Sequence, residues 1–367
     1  MTDVGIVGGG QLGRMLALAG HELGIGCVTL DPSPRSPAAG VAPAIVGEYD
    51  DRDRLTELAG RCDVVTYEFE NVPVEAARFV EALRPVLPPA AALEAAQDRL
   101  AEKELFTAVG LPVPVYAAVD SWQGLDDALE RIGVPAVLKT RRLGYDGKGQ
   151  AVIRDPLLAE DAWRSLGEVP CLLEALVDFD RELSIVAVRG SEGSRAAYPA
   201  VENKHRDGIL RRTRAPAPGL DAHVQRAAES HAFSLMGELE YVGVLAIELF
   251  QVGDSLLGNE MAPRVHNSAH WTIEGAETSQ FENHLRAVCG LPLGSTDAVG
   301  VSAMVNVIGE MPERASVLAV PGAHLHDYGK EPRPGRKLGH VTVCAADEAT
   351  LEERLRAVLG SLASRVD

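Results

Sequence analysis

The chain has 367 residues, 46% of them hydrophobic, and 35 Lys+Arg against 53 Asp+Glu give it a formal net charge of -18. A length of this order predicts about two or three domains around substantial cores, and the acidic balance excludes the basic surface that nucleic acid requires. Five scattered cysteines without a CxxC pair, no basic leader and no apolar run near ~18 residues predict a cytoplasmic protein with reduced thiols, neither secreted nor membrane-inserted.

Val4–Val7 predicts a strand, the glycines at 8–10 a turn, and residues 27–30 a second strand. Between them residues 11–23 predict a helix, with Leu12, Met15, Leu16, Ala19 and Leu23 on one stripe. The strand Val64–Tyr67 and a helix at 74–83 continue a βα alternation that implies a parallel sheet, closing a first domain at residues 1–97. A helix at 98–109 ends at Gly110, and Pro112 and Pro114 force an extended exit. Strands at 136–139, 150–153 and 171–173 with two helices then make a compact α+β module around a glycine-rich loop at 143–149. Further strands are expected at 183–188, 244–250, 256–259, 302–308 and 340–344. Helices are expected at 223–239 and 277–288 and from Ala349 onward, while residues 31–43 and 215–219 read as surface loops.

Two glycine motifs carry chemistry. Gly8, Gly10 and Gly13 match GxGxxG between a strand and a helix, with Asp31 ending the next strand. A nicotinamide site, a substrate phosphate site and a purely structural turn all fit, because free amides at a helix N-terminus accept any phosphate. The second motif, Gly144-Tyr145-Asp146-Gly147-Lys148-Gly149-Gln150, follows Lys139 at the end of an apolar strand. It is either a flexible hairpin loop or a lid whose amides and cation cover a triphosphate.

A hairpin centred on Asp254 sets Glu248 opposite Glu260. Opposed carboxylates repel unless a cation lies between them, and hard oxygen ligands that leave positions open suit Mg²⁺. Two solvated strand glutamates are the alternative, but the apolar residues flanking both favour a sheet packed on something. The loop that follows presents Arg264, His266 and Asn267, donors suited to stabilising developing negative charge.

In this order, the lysine strand, glycine lid, Glu174 strand, Glu248, Glu260 and the Arg264 loop resemble an ATP-grasp enzyme. The segments GYDGKGQ, NKHRDGIL, NEMAPRVHNSAHWT and KEPRPGRKLGH more narrowly resemble the N5-carboxyaminoimidazole ribonucleotide synthases, over nearly the whole chain from GGGQLGRM to GRKLGH. The resemblance implies a mixed α/β and α+β chain with the ATP-grasp fold. Its expected parts are an N-terminal Rossmann-like pre-ATP-grasp domain (1–97), a small lid domain (98–178), a large domain (179–298) and a small C-terminal β-rich subdomain (299–367).

Carried over residue by residue, the resemblance implies ATP phosphates on Arg99, Lys139 and the lid from Gly144 to Gln150. Adenine would lie on the hinge Glu174, Ala175, Leu176 and Val177, ribose on Glu182, and His205 would be a further nucleotide contact. Glu248 and Glu260, beside Asn259, would hold Mg²⁺. Aminoimidazole ribonucleotide would place its phosphate on Gly10, Gln11 and Leu12, helped by Lys330, Arg336 and Lys337, unless that cationic cluster is an ordinary solvated face. Its base would meet Glu70, preferred over Glu68 as nearer the carboxyl edge of the sheet, with Tyr145 and Lys148 also in contact. Lys148 stands where related lids carry arginine, keeping the charge but losing the bidentate fork.

The implied reaction is attack of bicarbonate, held by Arg264, His266 and Asn267, on the γ-phosphate to give carboxyphosphate. Carboxylation of the ribonucleotide amine follows, with Asp146 or phosphate taking the proton. The expected partners are aminoimidazole ribonucleotide, ATP and bicarbonate, with no nucleic acid and no membrane, in a homodimer. A formate-dependent transformylase, a biotin-type carboxylase, an NAD-dependent oxidoreductase and a non-catalytic ATP-binding protein are the rival readings.

Overall fold

The computed structural model describes residues 2–144 and 147–363, so Tyr145 and Asp146 of the expected lid lie outside the described residues. The first domain is a four-stranded parallel sheet in the order β3-β2-β1-β4, from β1 (Val4–Val7), β2 (Cys27–Asp31), β3 (Ala44–Val46) and β4 (Val64–Tyr67). Helix α1 (Gln11–Glu22) buries Leu12, Met15 and Leu16, as its stripe requires. The short β3, α2 (Arg52–Gly60) and α4 (Ala90–Gln97) escape the sequence reading, while α3 (Val74–Glu81) is close to its expected span. In α2 only Leu55, Leu58 and Ala59 are buried, too narrow a stripe to stand out, although Asp51 caps it by accepting from the amides of Asp53 and Arg54.

Helix α5 (Arg99–Ala108) leads out of this domain, capped by Asp98 and ended by Gly110 at a φ of 78°. The second sheet has the order β5-β8-β6-β7, from β5 (Tyr116–Val119), β6 (Ala136–Thr140), β7 (Gln150–Ile153) and β8 (Cys171–Ala175), with α6 (Trp122–Ile132) and α7 (Ala159–Ser165) beside it.

The third sheet has nine strands among the described residues. Its main path runs β14-β13-β9-β11-β12-β15-β17-β16, and β10 pairs with β9. The strands are β9 (Arg181–Arg189), β10 (Arg195–Ala197), β11 (Val201–Arg206), β12 (Ile209–Ala215), β13 (Gly243–Val252), β14 (Ser255–Ala262), β15 (Val301–Ile308), β16 (Ala323–Asp327) and β17 (Lys337–Ala345). Helices α8 (Ala222–Glu238), α9 (Thr272–Gly275) and α10 (Gln280–Val288) complete this part, with α11 (Arg314–Leu318) and α12 (Glu348–Ala363) in the tail. Strands β11 and β12, VENKHR and ILRRTRA, are rich in charge and are strands only through their pairing with each other and with β9 and β15. That pairing joins the tail to the large sheet through β12 and β15, although the tail keeps an apolar cluster of its own around Val341, Val343 and Leu355.

Both expected surface loops prove more integrated. Ala38 is fully buried and its amide donates to the Gly9 carbonyl at 2.8 Å, so residues 31–43 fold over the first glycine loop. Ala215 closes β12 and Ala217 is buried. Among the described residues no helix is long and apolar enough to cross a membrane.

Candidate active site

The three sheets converge on a polar cleft of about 700 Å³. Its walls come from the exits of β1 and β4, from α5, β6, β7 and the glycine lid, from the β13–β14 hairpin, and from the tail.

Val137, Val152, Leu176, Leu210 and Phe250 are apolar members of the cleft lining, and Phe250 stacks on Phe179 with ring centroids 4.7 Å apart. Apolar lining of this kind suits the flat face of a base. Of the expected hinge, Leu176 lies on the cleft wall, whereas Glu174 turns inward. Its carboxylate receives Lys139 Nζ at 2.5 Å and lies 3.2 Å from Lys103 Nζ. Burial works to raise the Glu174 carboxyl, but the two ammonium groups outweigh it and hold it at about 2. Glu174 is thus a charged anchor for Lys139.

His205 Nδ1 and Glu182 Oε2 are 2.7 Å apart, both on the cleft wall. Burial disfavours the charged imidazole, yet the bond to Glu182 raises its pKa overall. Gly144, Gly147, Lys148 and Gln150 form the lid edge. Gly147 has a φ of 75°, and a Cβ there would lie 2.8 Å from Gly208 Cα, so the lid rests against the β11–β12 turn and only glycine permits the approach.

The hairpin brings Glu248 opposite Glu260, as expected, but by a different route. The tight turn pairs Val252 with Ser255, and a regular ladder from there would set Glu248 against Asn259; a β-bulge after Gly258 shifts the register by one. Burial and then the Glu260 charge push the Glu248 carboxyl up to about 7. Two like charges held together in a partly buried site are the arrangement a cation relieves. Arg99 Nη1 is 3.1 Å from Glu260, and Lys139 Nζ is 3.5 Å from Asn259 Oδ1. Among the described residues no group of three or more His, Cys, Asp or Glu forms a closed metal cage. The opposed carboxylates would suit a cation that takes its remaining ligands from phosphate oxygens and water, as Mg²⁺ does.

Arg264 crosses to the first domain, where its Nε donates to Glu70. Burial opposes the charge on Glu70, but Arg264 outweighs it and holds the carboxyl at about 2. His266 Nε2 lies 3.6 Å from Glu248, and its Nδ1 bonds the Ser268 hydroxyl at 2.8 Å. Burial, then the neighbouring Arg264, push this imidazole down to about 3, which favours the neutral ring and its role as a hydrogen-bonding group. The side-chain amide of Asn267 is buried on the cleft wall, and among the described residues neither its oxygen nor its nitrogen has a partner. A buried amide with both ends open marks a place where a ligand supplies the missing bonds.

The first glycine loop is occupied by the protein itself. Glu68 accepts from the amides of Gly10 and Gly13, the latter at 2.7 Å, and a Cβ at Gly8 or Gly10 would lie 2.3 Å from the Glu68 side chain. The motif therefore folds around a carboxylate, not a pyrophosphate. Asp31 is similarly filled, accepting from Gly9 at 2.8 Å, Ser33 at 2.8 Å and Tyr49 at 2.9 Å. Three of its roughly four acceptor sites are thus taken within the protein, which leaves little for a nicotinamide ribose. The same contacts correct the expectation that Gly10 offers its amide to a substrate phosphate. Gln11 and Leu12 do face the cleft, and Lys330 Nζ donates to the Gln11 side chain.

Of the tail cations Lys337 lines the cleft, being the first residue of β17. Arg336, expected beside it, is instead drawn back into its own turn and donates to the Glu331 carbonyl at 3.2 Å. Sequence reasoning missed Glu102, His270 and Tyr328 on the wall and Lys103 behind it. Tyr328 bonds His340 at 2.7 Å, and His340 lies between the rings of His270 and His326, with centroids at 4.8 and 4.3 Å. This ring cluster, buried at His270 and His340 and partly exposed at His326, joins the tail to the loop after β14. Phe250 was also missed, although its place two residues beyond Glu248 on one strand face made it visible.

Three modules around one triphosphate-sized cleft, with a glycine lid and an acidic hairpin, define an ATP-grasp enzyme. The ATP-grasp domain model matches residues 104–281, the ribonucleotide synthetase preATP-grasp domain model residues 1–97, and the phosphoribosylaminoimidazole carboxylase C-terminal domain model residues 302–354. The chain is 52% identical to the N5-carboxyaminoimidazole ribonucleotide synthase of Pseudomonas aeruginosa over 97% of its own length and 98% of that protein's. It superposes on the crystal structure of N5-carboxyaminoimidazole ribonucleotide synthetase from Thermus thermophilus with a TM-score of 0.95 at 56% identity, covering 98% of each chain. An Aspergillus clavatus N5-carboxyaminoimidazole synthase solved in complex with ADP and 5-aminoimidazole ribonucleotide aligns at 30% identity, with a TM-score of 0.93 over 99% of each chain. The chain belongs to the N5-carboxyaminoimidazole ribonucleotide synthase family of ATP-grasp ligases.

Proposed function

We propose that the chain carboxylates the exocyclic amine of 5-aminoimidazole ribonucleotide at the expense of ATP and bicarbonate, as a cytoplasmic homodimer in purine biosynthesis. The observation that carries this reading is the Arg264–Glu70 pair, which brings the loop leaving the carboxylate hairpin against the exit of β4, so that a nucleotide end and a second-substrate end share one cleft. The five unpaired cysteines suit a reducing compartment.

In this reading Lys139 and Arg99 hold the ATP phosphates and Glu182 with His205 the ribose, while the lid from Gly144 to Gln150 closes over them. Glu248 and Glu260 would hold Mg²⁺, which would supply neutralisation of charge on the phosphate oxygens. Arg264, neutral His266 and Asn267 orient bicarbonate so that its oxygen attacks the γ-phosphorus. The bond to ADP breaks and carboxyphosphate forms. Carboxyphosphate hydrolyses readily, so lid closure must exclude water. The amine nitrogen then attacks the carboxyl carbon, phosphate leaves, and the amine proton passes to that phosphate or to Asp146. Glu70 meets the aminoimidazole, alongside Tyr145 and Lys148 of the lid. Gln11, Leu12, Lys330 and Lys337 receive the ribonucleotide phosphate.

ADP release measured with each substrate omitted in turn tests the function. Release should require both aminoimidazole ribonucleotide and bicarbonate, and a rate indifferent to the ribonucleotide would overturn the reading. The tail gives a sharper expectation. Lys337→Ala should raise the KM for the ribonucleotide by about 10- to 100-fold, the loss of one charge-assisted bond of roughly 1.5 to 3 kcal/mol. The KM for ATP should hold. Arg336→Ala should change neither by more than about twofold, as for a surface substitution, and a larger effect at Arg336 than at Lys337 would reverse the assignment.

A further inference from the structure

Strand β14 lies at the edge of the large sheet, so among the described residues its outward N–H and C=O groups have no strand to pair with. Helix α5 and the segment after it supply those partners. Gly258 N–H donates to the Pro112 carbonyl at 2.7 Å, and Met261 N–H donates to Glu102 Oε1 at 2.6 Å. Lys103 Nζ donates to two successive carbonyls, Gly258 at 2.9 Å and Asn259 at 2.6 Å. Successive carbonyls on one side of a strand are the mark of a bulge, and the ladder changes register at this point: Leu249 pairs with Gly258, Glu248 with Glu260, and Asn259 is the extra residue.

Two successive carbonyls turned away from the ladder at a partly buried edge are costly unless a donor meets them. Lys103, completely buried, is that donor. Without the bulge Glu248 would stand against Asn259, and the two-residue alternation would turn Glu260 to the opposite face of the sheet.

We propose that Lys103, helped by Glu102, is a positioning residue that holds the Asn259 bulge and thereby sets Glu260 against Glu248. The assignment rests on the reading of those two glutamates as the Mg²⁺ site. A lysine on the helix that leads out of the first domain thus governs the geometry of a metal site on a strand over 150 residues away in sequence.

The test uses the full chain and ADP as probe. Calorimetric titration with Mg²⁺ and again with chelator gives the ratio by which metal tightens ADP binding. Lys103→Met keeps the stem and removes the ammonium, and should shrink that ratio by about 10- to 100-fold, the usual loss when a residue supporting a metal ligand is removed. Lys103→Gln, whose amide still donates to one carbonyl, should restore part of it, and carries the same test if the methionine variant does not fold. A ratio unchanged in both variants, whatever their melting temperatures, overturns the proposal and leaves Lys103 a structural residue. Glu260→Gln run in parallel separates the two failures. If it abolishes the ratio while the Lys103 variants do not, only the Lys103 assignment falls; if it too leaves the ratio intact, the metal reading itself fails.

Discussion

Glu260→Gln is expected to abolish most turnover while leaving the protein folded. The substitution keeps shape and removes one of two opposed carboxylates, so the charge that develops on the transferred phosphoryl group loses its counter-ion. Losing about 3 to 4 kcal/mol of transition-state stabilisation corresponds to a fall in kcat of roughly two to three orders of magnitude. Stability should respond very differently. Neutralising Glu260 relieves the repulsion that helps to push Glu248 up to about 7, but it also weakens the 3.1 Å contact with Arg99. These effects oppose each other at a site where Glu260 is 42% exposed, so the melting temperature should move by no more than about 3 °C. Steady-state kinetics over a Mg²⁺ titration, paired with calorimetric melting, checks both halves. Turnover equal to that of the unaltered chain would remove Glu260 from the site.

Arg264→Met should be nearly inactive and also markedly less stable at neutral pH. It strips the partner from Glu70, and a buried carboxylate left unpaired costs about 3 to 5 kcal/mol. In the unaltered chain Glu70 is held at about 2 against an ordinary 4.5. A depressed folded-state value contributes stability that is present above 4.5 and is lost as pH falls from there towards 2. In the variant the main counterweight to burial is gone and the Glu70 carboxyl rises, so the folded form more readily takes up its proton and gains stability on acidification. The stability gap between the two proteins should therefore be widest near neutrality and narrow progressively as the pH falls towards 2. The double variant Arg264→Met/Glu70→Gln should recover stability at pH 7 without recovering activity. Denaturant melts at several pH values measure the first effect and ADP release the second. A gap that widens on acidification would mean that the pair does not control this edge of the cleft.

Local signals made much of the chain readable. The βα alternation before Gln97 and the helix begun by Asp98 and ended at Gly110 follow from periodicity, capping and turn residues within a few positions of each other. The opposed glutamates were nevertheless obtained from a hairpin centre one step off, because a bulge has no reliable local signature. The cationic cluster of the tail was likewise visible, but the start of β17 was placed at His340 when the strand begins at Lys337, and that boundary decides which cation reaches the cleft and which stays in the turn.

The sequence by itself determined the fold class, the family and the chemical types gathered at the site, because these depend on local patterns and ordered motifs. Only the tertiary structure decided how the charges are assigned. Glu68 fills the glycine loop from 55 residues away, Lys103 reaches Asn259 from 156 away, and Arg264 reaches Glu70 from 194 away. A buried Lys or Glu on an amphipathic helix looks, in sequence, like any solvated residue. Its partner is fixed by packing of segments that share no spacing rule, and a charge survives burial only when that packing supplies an opposite charge or a row of donors and acceptors.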